Sequence, residues 1–289
     1  MAVELKKIAV IGPGMMGTGI AELCAISGYE TVLIGRREMT LNRARQNAAV
    51  DLDGFFAEGF ISEETKRQAE SNLHFSLSTK DCYDSDLVIE SIYENLQAKQ
   101  ILFWELDQNC RKDTILATDT STLPITEIAS IVERPERVLG MHFFSSVPKN
   151  RLLEVIMGNK TDEAVLTSVR DFSEKTGKTM VVSKDTAGFI INRLQCRLWN
   201  ESVGLVQEGS CPEDVDLAVL QTVRPNWGPL ALIDFCGVDL MMTISDLLWR
   251  NLKTERYRPS PLMSKMIELG WLGQKSGKGF YEYTDKENE

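Results

Sequence analysis

A glycine-rich turn near the start of the chain constrains the fold more than any other feature. It follows an apolar run within residues 5–12 and precedes a helical pattern over 15–28, and a second apolar run at 30–35 closes the unit. Its spacing is G-x-G-x-x-G, and this spacing between a strand and a helix is the context that indicates a dinucleotide-binding site. The turn consists of Gly12, Pro13, Gly14, Met15, Met16 and Gly17.

Each glycine of the turn has a separate task in such a site. Gly12 allows the tight turn, Gly14 lets the backbone approach a pyrophosphate at the helix N-terminus, and Gly17 allows close helix–strand packing. Met15 and Met16 lie between these glycines, so we count them with the cofactor-binding candidates.

The end of the second apolar run departs from the pattern of an NAD site. Such a site carries Asp or Glu there to bind the ribose 2′-hydroxyl, whereas this chain has Gly35, Arg36 and Arg37. Two guanidiniums without a carboxylate suit a 2′-phosphate. The sequence therefore favours NADP(H), with NAD(H) as the alternative if the arginines only begin the next helix in solvent.

Composition narrows the class of protein and its partners. The chain has 289 residues, 43% hydrophobic and 26% charged, which is typical of a soluble globular protein of two domains. A net charge of −10 argues against nucleic acid and anionic membranes as partners. Six scattered cysteines and two histidines show no metal-ligand spacing, and neither a leader nor a membrane span is visible. We expect no metal site and a cytoplasmic location.

The first part of the chain alternates strand and helix patterns, which predicts an α/β fold of the Rossmann type, a doubly wound and mostly parallel sheet over residues 1–184. Residues 185–289 read as an all-helical second domain. The predicted strands are 5–12, 30–35, 73–77, 86–90, 114–118, 137–143, 152–157 and 178–183. The predicted helices are 15–28, 38–58, 62–72, 95–110, 124–132 and 162–176, then 185–208, 212–221, 229–250 and 260–270.

His142 is the main candidate for chemistry. It ends a predicted strand, at the edge of the sheet where ligands bind, and histidine exchanges protons near neutral pH. The next strand carries one carboxylate, Glu154, inside an apolar run. A buried carboxylate needs a partner, and the imidazole is the nearest candidate, so the two residues are expected to pair. His74 has no such companion and reads as structural.

Two further groups carry polar side chains in apolar surroundings. The run Thr118–Thr122 follows a predicted strand and can either cap the next helix or bind a substrate oxygen. Asn192 lies in an apolar helical segment, where its amide needs a partner, which is either a substrate carbonyl or a backbone group.

Seven segments occur together and in a characteristic order: Gly12–Gly17, Glu90–Leu96, Asp119–Ser121, His142–Phe144, Leu153–Val155, Lys184–Arg193 and Gly273–Tyr281. Taken together, they resemble the L-3-hydroxyacyl-CoA dehydrogenase family, and specifically its short bacterial 3-hydroxybutyryl-CoA members, over essentially the whole chain. The resemblance implies a Rossmann-type domain, a helical dimerisation domain, and hydride transfer between a nicotinamide and C3 of an acyl thioester.

The resemblance also implies roles for individual residues. His142 matches the catalytic acid/base and Glu154 its orienting partner. Ser121 and Asn192 match the residues that hold substrate oxygens, and Ser121 is also counted at the cofactor site. Glu94 and Lys99 match cofactor-contacting positions.

The chain departs from the family pattern at two further places. Ser145 and Ser146 stand where the family usually has Asn-Pro, and the stretch 51–60 has three acids and no base where relatives carry lysines facing the CoA nucleotide. Of the three aromatic residues in this stretch, we expect at least two to be core. The alternatives to a CoA thioester as substrate are a free 3-hydroxy acid and an acyl-carrier-bound substrate. The alternative to an enzyme is a nucleotide-binding protein without turnover.

Overall fold

The computed structural model describes residues 3–223 and 225–283. They form two compact units, which divide between Thr186 and Ala187. The boundary expected from the sequence, at 184/185, lies two residues earlier.

The first unit is built on one eight-stranded sheet in the order β3-β2-β1-β4-β5-β6-β7-β8. All neighbouring strands are parallel except β6 and β7, which are antiparallel. The sheet confirms the predicted doubly wound fold, and its order reverses direction at β1 and β4, where such sheets open a ligand crevice. The strands are β1 (Lys7–Ile11), β2 (Glu30–Ile34), β3 (Leu73–Ser76), β4 (Leu87–Glu90), β5 (Ile115–Thr118), β6 (Val138–His142), β7 (Leu152–Met157) and β8 (Thr179–Lys184).

Helices follow most of the strands, and the central strands are buried along their length, as expected of a parallel sheet covered on both faces. The core joins β1, β2 and β4 to α1 and α2 through residues such as Val10, Leu33, Ile89 and Ala44. The helices of this unit are α1 (Met15–Ile26), α2 (Glu38–Ala57), α3 (Glu63–Asn72), α4 (Leu96–Asn109), α5 (Ile125–Ile128) and α6 (Glu163–Lys175).

The second unit is helical, as predicted. Its core packs around Trp199, Val203 and Leu248. None of the helices in residues 3–223 and 225–283 is long and apolar enough to cross a membrane. The helices of this unit are α7 (Ile191–Gln207), α8 (Pro212–Thr222), α9 (Pro229–Cys236), α10 (Val238–Leu252) and α11 (Pro261–Glu268).

The prediction of one long helix from residue 185 to 208 was wrong at its start. Gly188 and Phe189 adopt left-handed backbone angles, with φ of 72° and 48°, so α7 begins only at Ile191. Asp185 caps a different helix: its carboxylate accepts from the N–H groups of Ile125 and Thr126 at 2.9 and 2.7 Å.

Two other helices were predicted too long. The pattern over 229–250 is broken at Gly237, whose φ of 103° ends α9 and starts α10. The pattern over 124–132 yields only α5 and a short 3₁₀ turn, Ala129–Ile131.

The Gly/Lys-rich segment before residue 283 packs on one buried acid of its own unit. Asp234 accepts from the backbone N–H groups of Phe280 and Tyr281, each at 3.0 Å. A Cβ on Gly279 would lie 2.0 Å from Asp234 Oδ1, so glycine is required there by packing.

Candidate active site

The glycine-rich turn has the geometry of a phosphate cradle. Gly12 has a φ of 119° and donates its N–H to Ile34 O at 2.9 Å, and a Cβ on Gly17 would lie 1.9 Å from Gly12 O. A Cβ on Gly14 would meet nothing within 4 Å, so its outer face is open. Gly14 is also the N-cap of α1 and has no side chain to cap it. The first N–H groups of α1 are therefore available to a pyrophosphate, and these residues fit a dinucleotide.

Gly35 has a steric cause that the sequence did not reveal. A Cβ at this position would lie 2.7 Å from Cγ of Pro13, inside the glycine-rich turn, and 3.3 Å from Leu41 Cδ1. The proline ring thus occupies the space that a side chain at the end of β2 needs. The missing carboxylate follows from packing whichever dinucleotide binds.

The two arginines after Gly35 are exposed at the start of α2. Among the hydrogen bonds and ion pairs of residues 3–223 and 225–283, none uses the guanidinium of Arg36 or Arg37. The carbonyl of Arg37 accepts from Leu41 N in the first turn of α2. Both guanidiniums are therefore accessible to an anion near the end of β2.

Behind the cradle lies a buried ion-pair network that links β4, α4 and β5. Lys99 is 1% exposed, and its ammonium contacts Glu90 Oε1 at 2.6 Å and Glu94 Oε2 at 3.4 Å. Thr118 Oγ1 donates to the other oxygen of Glu90 at 2.7 Å. The structure places Lys99 behind Glu94, where its charge holds the carboxylate in position.

Glu94 organises the turn that carries Ser121. Its Oε1 accepts from the N–H groups of Ser121 and Thr122 at 3.2 and 3.1 Å, and from the hydroxyls of Thr120 and Thr122 at 2.5 and 2.8 Å. The threonines of this segment therefore do not cap α5. Asp185 caps this helix instead. The sequence held a signal for this contact, since both polar segments follow strands that proved to be adjacent.

Asp119 lies in the polar run Thr118–Thr122, but the sequence alone indicated no separate role for it. Its two carboxylate oxygens accept from Ser91 Oγ at 3.0 Å and from Phe143 N at 2.9 Å, so it ties β4 and β5 to the residue after His142. Asp119 keeps some contact with solvent, but dense packing removes most of its hydration. This desolvation raises the pKa of Asp119 to about 8, against the lowering effect of its two hydrogen bonds.

His142 and Glu154 are register partners on the antiparallel strands β6 and β7. His142 Nδ1 lies 2.9 Å from Glu154 Oε2, and the residues are 6% and 0% exposed. The expected pair is thus in contact, at the carboxyl end of β6. The ring of Phe144 lies 4.4 Å from the imidazole, centroid to centroid.

The loop after His142 has a backbone conformation that proline could not adopt at Ser146. Ser146 has a φ of 57°, which proline cannot adopt because its ring fixes φ near −65°. The ammonium of Lys178 donates to the carbonyls of Val147 and Asn150, and burial lowers the pKa of Lys178 to about 8. Replacement of the usual Asn-Pro by serines is therefore accompanied by a backbone conformation that excludes proline.

Two acidic residues at the end of α2 form ion pairs with lysines from other segments of the chain. Asp53 pairs with Lys66, and Glu58 pairs with Lys149. Of the three aromatic residues in this stretch, only Phe55 is core, at 8% exposure. Phe56 and Phe60 are 44% and 47% exposed, so the expectation that at least two are core was wrong.

Two further residues from the sequence analysis are Asn192 and His74. Asn192 is a buried residue in the first turn of α7, in the second unit. His74 lies on β3 with its side chain exposed. Within the described residues, no group of three His, Cys, Asp or Glu side chains is arranged to hold a metal ion.

Comparison with known proteins gives matches along the whole chain. A family model described as "3-hydroxyacyl-CoA dehydrogenase, NAD binding domain" matches residues 7–186, and one described as "3-hydroxyacyl-CoA dehydrogenase, C-terminal domain" matches 188–283. A probable 3-hydroxybutyryl-CoA dehydrogenase of Bacillus subtilis is 40% identical over 288 residues, covering 98% of this chain and 99% of the relative. A 3-hydroxybutyryl-CoA dehydrogenase of Bradyrhizobium diazoefficiens is 37% identical, with coverage of 98% and 97%.

A solved structure shows the same similarity in three dimensions. The crystal structure of (S)-3-hydroxybutyryl-CoA dehydrogenase PaaH1 from Ralstonia eutropha has a TM-score of 0.93 to this chain at 32% identity. The match covers 98% of this chain and 100% of that one.

Proposed function

Because the chain belongs to the 3-hydroxyacyl-CoA dehydrogenase family, whose first domain binds NAD, we propose that it interconverts a short-chain 3-ketoacyl-CoA and the L-3-hydroxyacyl-CoA. Family membership makes it an oxidoreductase acting on an alcohol. The contact between His142 and Glu154 carries the finer proposal, since it puts a buried acid/base pair at the functional edge of the sheet.

A dinucleotide held at Gly12–Gly17 would supply the nicotinamide chemistry, which is transfer of a hydride to or from C3 of the substrate. His142 Nδ1 lies 2.9 Å from Glu154 Oε2, and we assign the tautomer in which Nδ1–H donates to this carboxylate. In that tautomer the exchangeable proton is carried by Nε2, on the other side of the ring. On reduction, Nε2 gives this proton to the oxygen on C3, and on oxidation it takes the proton back. The carboxylate of Glu154 stabilises the imidazolium that forms in the oxidative direction.

Ser121 and Asn192 are assigned to hold oxygens of the substrate. The turn that carries Ser121 is fixed by Glu94, which Lys99 holds in turn. In this proposal, Glu94 and Lys99 act on the cofactor and substrate through the position of the 120–122 turn. Replacement of Lys99 by a neutral residue should loosen the turn. The expected result is a raised KM, with a smaller effect on the rate of proton transfer.

NADP(H) is the proposed cofactor. The exposed guanidiniums of Arg36 and Arg37 at the end of β2 support it, because a 2′-phosphate is best met by charge-assisted hydrogen bonds. Arg36→Ala is expected to weaken NADPH by roughly ten- to a hundredfold and NADH little, since a hydrogen bond to a charged group contributes ~1.5–3 kcal/mol. Arg43→Ala, which removes the same charge from an exposed site on α2, is the control. Equal weakening of both cofactors by Arg36→Ala would contradict the assignment.

The proposed reaction is tested by turnover of acetoacetyl-CoA with NADPH and with NADH. His142→Gln should lower kcat by a factor on the order of 10²–10⁴, because it removes general acid/base catalysis. His74→Gln is the matched control on an exposed histidine and should keep the wild-type rate. A near-wild-type rate for His142→Gln would overturn the assignment of the acid/base.

A free 3-hydroxy acid or an acyl-carrier-bound substrate is the second candidate. The acidic stretch on α2 favours it, because Lys66 and Lys149 already pair with Asp53 and Glu58. These pairs leave less positive charge for a CoA phosphate. Comparison of kcat/KM for acetoacetyl-CoA with a panel of free 3-keto acids decides between the candidates. NADPH binding without turnover of any of these would favour a non-catalytic protein.

We further propose that the protein is a cytoplasmic homodimer. Large apolar side chains are exposed on the helices of the second unit, among them Leu194, Leu217 and Leu240, and such exposure is typical of subunit interfaces. All six cysteines are free thiols, which suits a reducing compartment. A monomer mass by light scattering would contradict the dimer, and cell fractionation tests the location.

A further inference from the structure

Two of the six free cysteines contact each other at the edge of the sheet opposite His142. Cys82 ends a short 3₁₀ turn, Thr79–Cys82, just before β4, and Cys110 follows the last residue of α4, just before β5. Both cysteines therefore lie at the amino ends of parallel strands, whereas His142 lies at the carboxyl end of β6. The proposed reaction uses neither thiol.

The contact between the two cysteines is direct. Their thiols form a hydrogen bond with each other, and Cys110 Sγ lies 3.9 Å from the carbonyl oxygen of Cys82. The backbone joins the two segments beside them, since Arg111 N donates to Tyr83 O at 3.2 Å and Arg111 Nη1 donates to Asp84 O at 2.8 Å. A disulfide can form only between cysteines whose side chains face each other at short range. These two residues meet that condition without a rearrangement of the backbone.

The surroundings of the two thiols differ. Cys82 is 0% exposed, and its hydrogen bond to Cys110 and its burial raise its pKa. Cys110 is 8% exposed and lines a narrow cleft that also contains arginines. The hydrogen bond from Cys82 and the charges of Arg134 and Arg111 lower the pKa of Cys110, against the raising effects of burial and Asp107. The thiolate, which is the reactive form, is therefore favoured at Cys110 over Cys82.

The cleft beside Cys110 contains an unused hydrogen-bond donor. Arg137 lines the same cleft, and its Nε donates to Thr114 O at 3.3 Å. In the part of the chain that the structure describes, Arg137 Nη2 is buried without a hydrogen-bond partner. Such a donor is rare in native proteins and is satisfied by an oxygen atom with negative charge. An oxygen atom added to Cys110 would supply this charge in the cleft.

We propose that Cys82 and Cys110 are a reversible redox site, in which a peroxide oxidises the two thiols to an intramolecular disulfide. In a reducing compartment the pair stays in the thiol form, so the bond forms only when the peroxide level rises. The proposal depends on contacts within the first unit and does not depend on the proposed dehydrogenase function.

Oxidation takes place in two steps. The Cys110 thiolate attacks one oxygen of hydrogen peroxide and the O–O bond breaks; Cys110 becomes a sulfenic acid, and the other oxygen leaves as hydroxide, which becomes water with the proton that Cys110 released. The Cys82 sulfur then attacks the Cys110 sulfur and the S–O bond breaks; the leaving hydroxide takes the Cys82 proton and becomes a second water. The two sulfurs together lose two electrons, which reduce the peroxide. A dithiol reductant reverses the reaction.

The disulfide should stabilise the first unit. It would join residues 28 positions apart and enclose β4 and α4 in a covalent loop. A cross-link of this length removes conformational freedom from the unfolded chain, so oxidation should raise Tm by roughly 5–10 °C. Cys110→Ser should show no such rise after the same treatment. A fall in Tm on oxidation of the wild type would overturn the proposal, because it would mean that the native packing opposes the bond.

Peptide mapping of the full chain tests the bond directly. Trypsin cleaves after Lys80, Lys99 and Arg111, so the two cysteines fall in separate peptides, 81–99 and 100–111. After treatment with hydrogen peroxide and alkylation of the remaining thiols, mass spectrometry should find these two peptides joined, and dithiothreitol should separate them. Absence of the joined peptide from a sample in which the exposed thiol of Cys211 is oxidised would overturn the proposal.

Single variants test the order of the two steps. With dimedone as the probe for sulfenic acid, Cys82→Ser should be labelled at Cys110, whereas Cys110→Ser should stay unlabelled at Cys82. Cys211→Ser, which removes an exposed thiol elsewhere in the chain, should leave the yield of the joined peptide unchanged. Labelling of Cys82 in Cys110→Ser, or loss of the joined peptide in Cys211→Ser, would contradict the assignment. Because Cys82 is fully buried, the mapping of the wild type decides the proposal even if Cys82→Ser fails to fold.

Discussion

Replacement of Gly35 by aspartate tests the claim that Pro13 excludes a side chain at the end of β2. The new Cβ would lie 2.7 Å from Pro13 Cγ, whereas carbon atoms pack at roughly 3.5–4.0 Å, so one of the two must move by about 1 Å. The proline ring is rigid and lies in the turn that Gly12 anchors to Ile34. We expect Gly35→Asp to destabilise the fold by about 1–3 kcal/mol, the usual cost of overpacking.

A double-mutant cycle with Pro13→Ala isolates this contact. Pro13→Ala alone should cost up to ~1 kcal/mol by freeing the unfolded chain, and that effect cancels in the cycle. With the ring removed, Gly35→Asp should cost less than in the wild type, which gives a coupling of about 1–2 kcal/mol. The measurement is urea unfolding of the four proteins, and Gly35→Ala separates the size of the side chain from its charge.

Cofactor kinetics extend the same cycle. Gly35→Asp alone should raise KM for both NADH and NADPH, because the displaced ring disturbs the phosphate turn. In the Pro13→Ala background, where the ring no longer occupies this space, we expect the carboxylate to accept from a ribose 2′-hydroxyl and the preference to shift toward NADH. The reasoning fails if Gly35→Asp costs the same with and without Pro13, or if Gly35→Ala costs nothing.

Three further predictions concern stability. Burial raises the pKa of Asp119 to about 8, so the folded state binds its proton more tightly than the unfolded state does. The contribution of Asp119 to the free energy of unfolding therefore falls as pH rises from about 4 to about 8. Asp119→Asn should flatten this slope in pH-dependent urea unfolding, and an unchanged slope would contradict the argument. Ser146→Pro should lower Tm by several degrees, whereas Ser146→Gly should keep or raise it, because only proline is incompatible with a φ of 57°. Equal Tm values for the two variants would refute the left-handed geometry of Ser146. Asp234→Ala should cost about 2–4 kcal/mol in urea unfolding, since it orphans the N–H groups of Phe280 and Tyr281; a loss below 1 kcal/mol would contradict the role of Asp234.

The strands were predictable because burial on both faces leaves a direct record in the sequence. Runs such as Ile8–Ile11 and Leu87–Ile89 are continuously apolar, and the helices between them are amphipathic, so the alternation gives a parallel sheet. The pair of His142 and Glu154 was predictable for a related reason. A single carboxylate in an apolar strand needs a partner, and the short connection to the preceding strand limits the choice.

The errors came from backbone angles and from contacts distant in sequence. Phe189 has no feature in its residue type that signals a φ of 48°, so the start of α7 was placed too early. Asp185 caps a helix 60 residues away, and Lys149 neutralises Glu58 across 91 residues. These contacts depend on which elements the sheet brings together, and a local pattern carries no information about that.

The missing carboxylate at the end of β2 illustrates how packing and function separate. A glycine there first suggests a cofactor with a 2′-phosphate, but Pro13 alone is sufficient to require it. The glycine is therefore neutral evidence between NAD(H) and NADP(H), and the proposed preference rests on the exposed guanidiniums of Arg36 and Arg37. An arginine that only begins α2 would leave both cofactors equally bound when it is removed, whereas one that binds a 2′-phosphate would affect NADPH alone. The proposed choice of NADP(H) thus rests on Arg36 and Arg37 alone, while Gly35 reports on the shape of the turn.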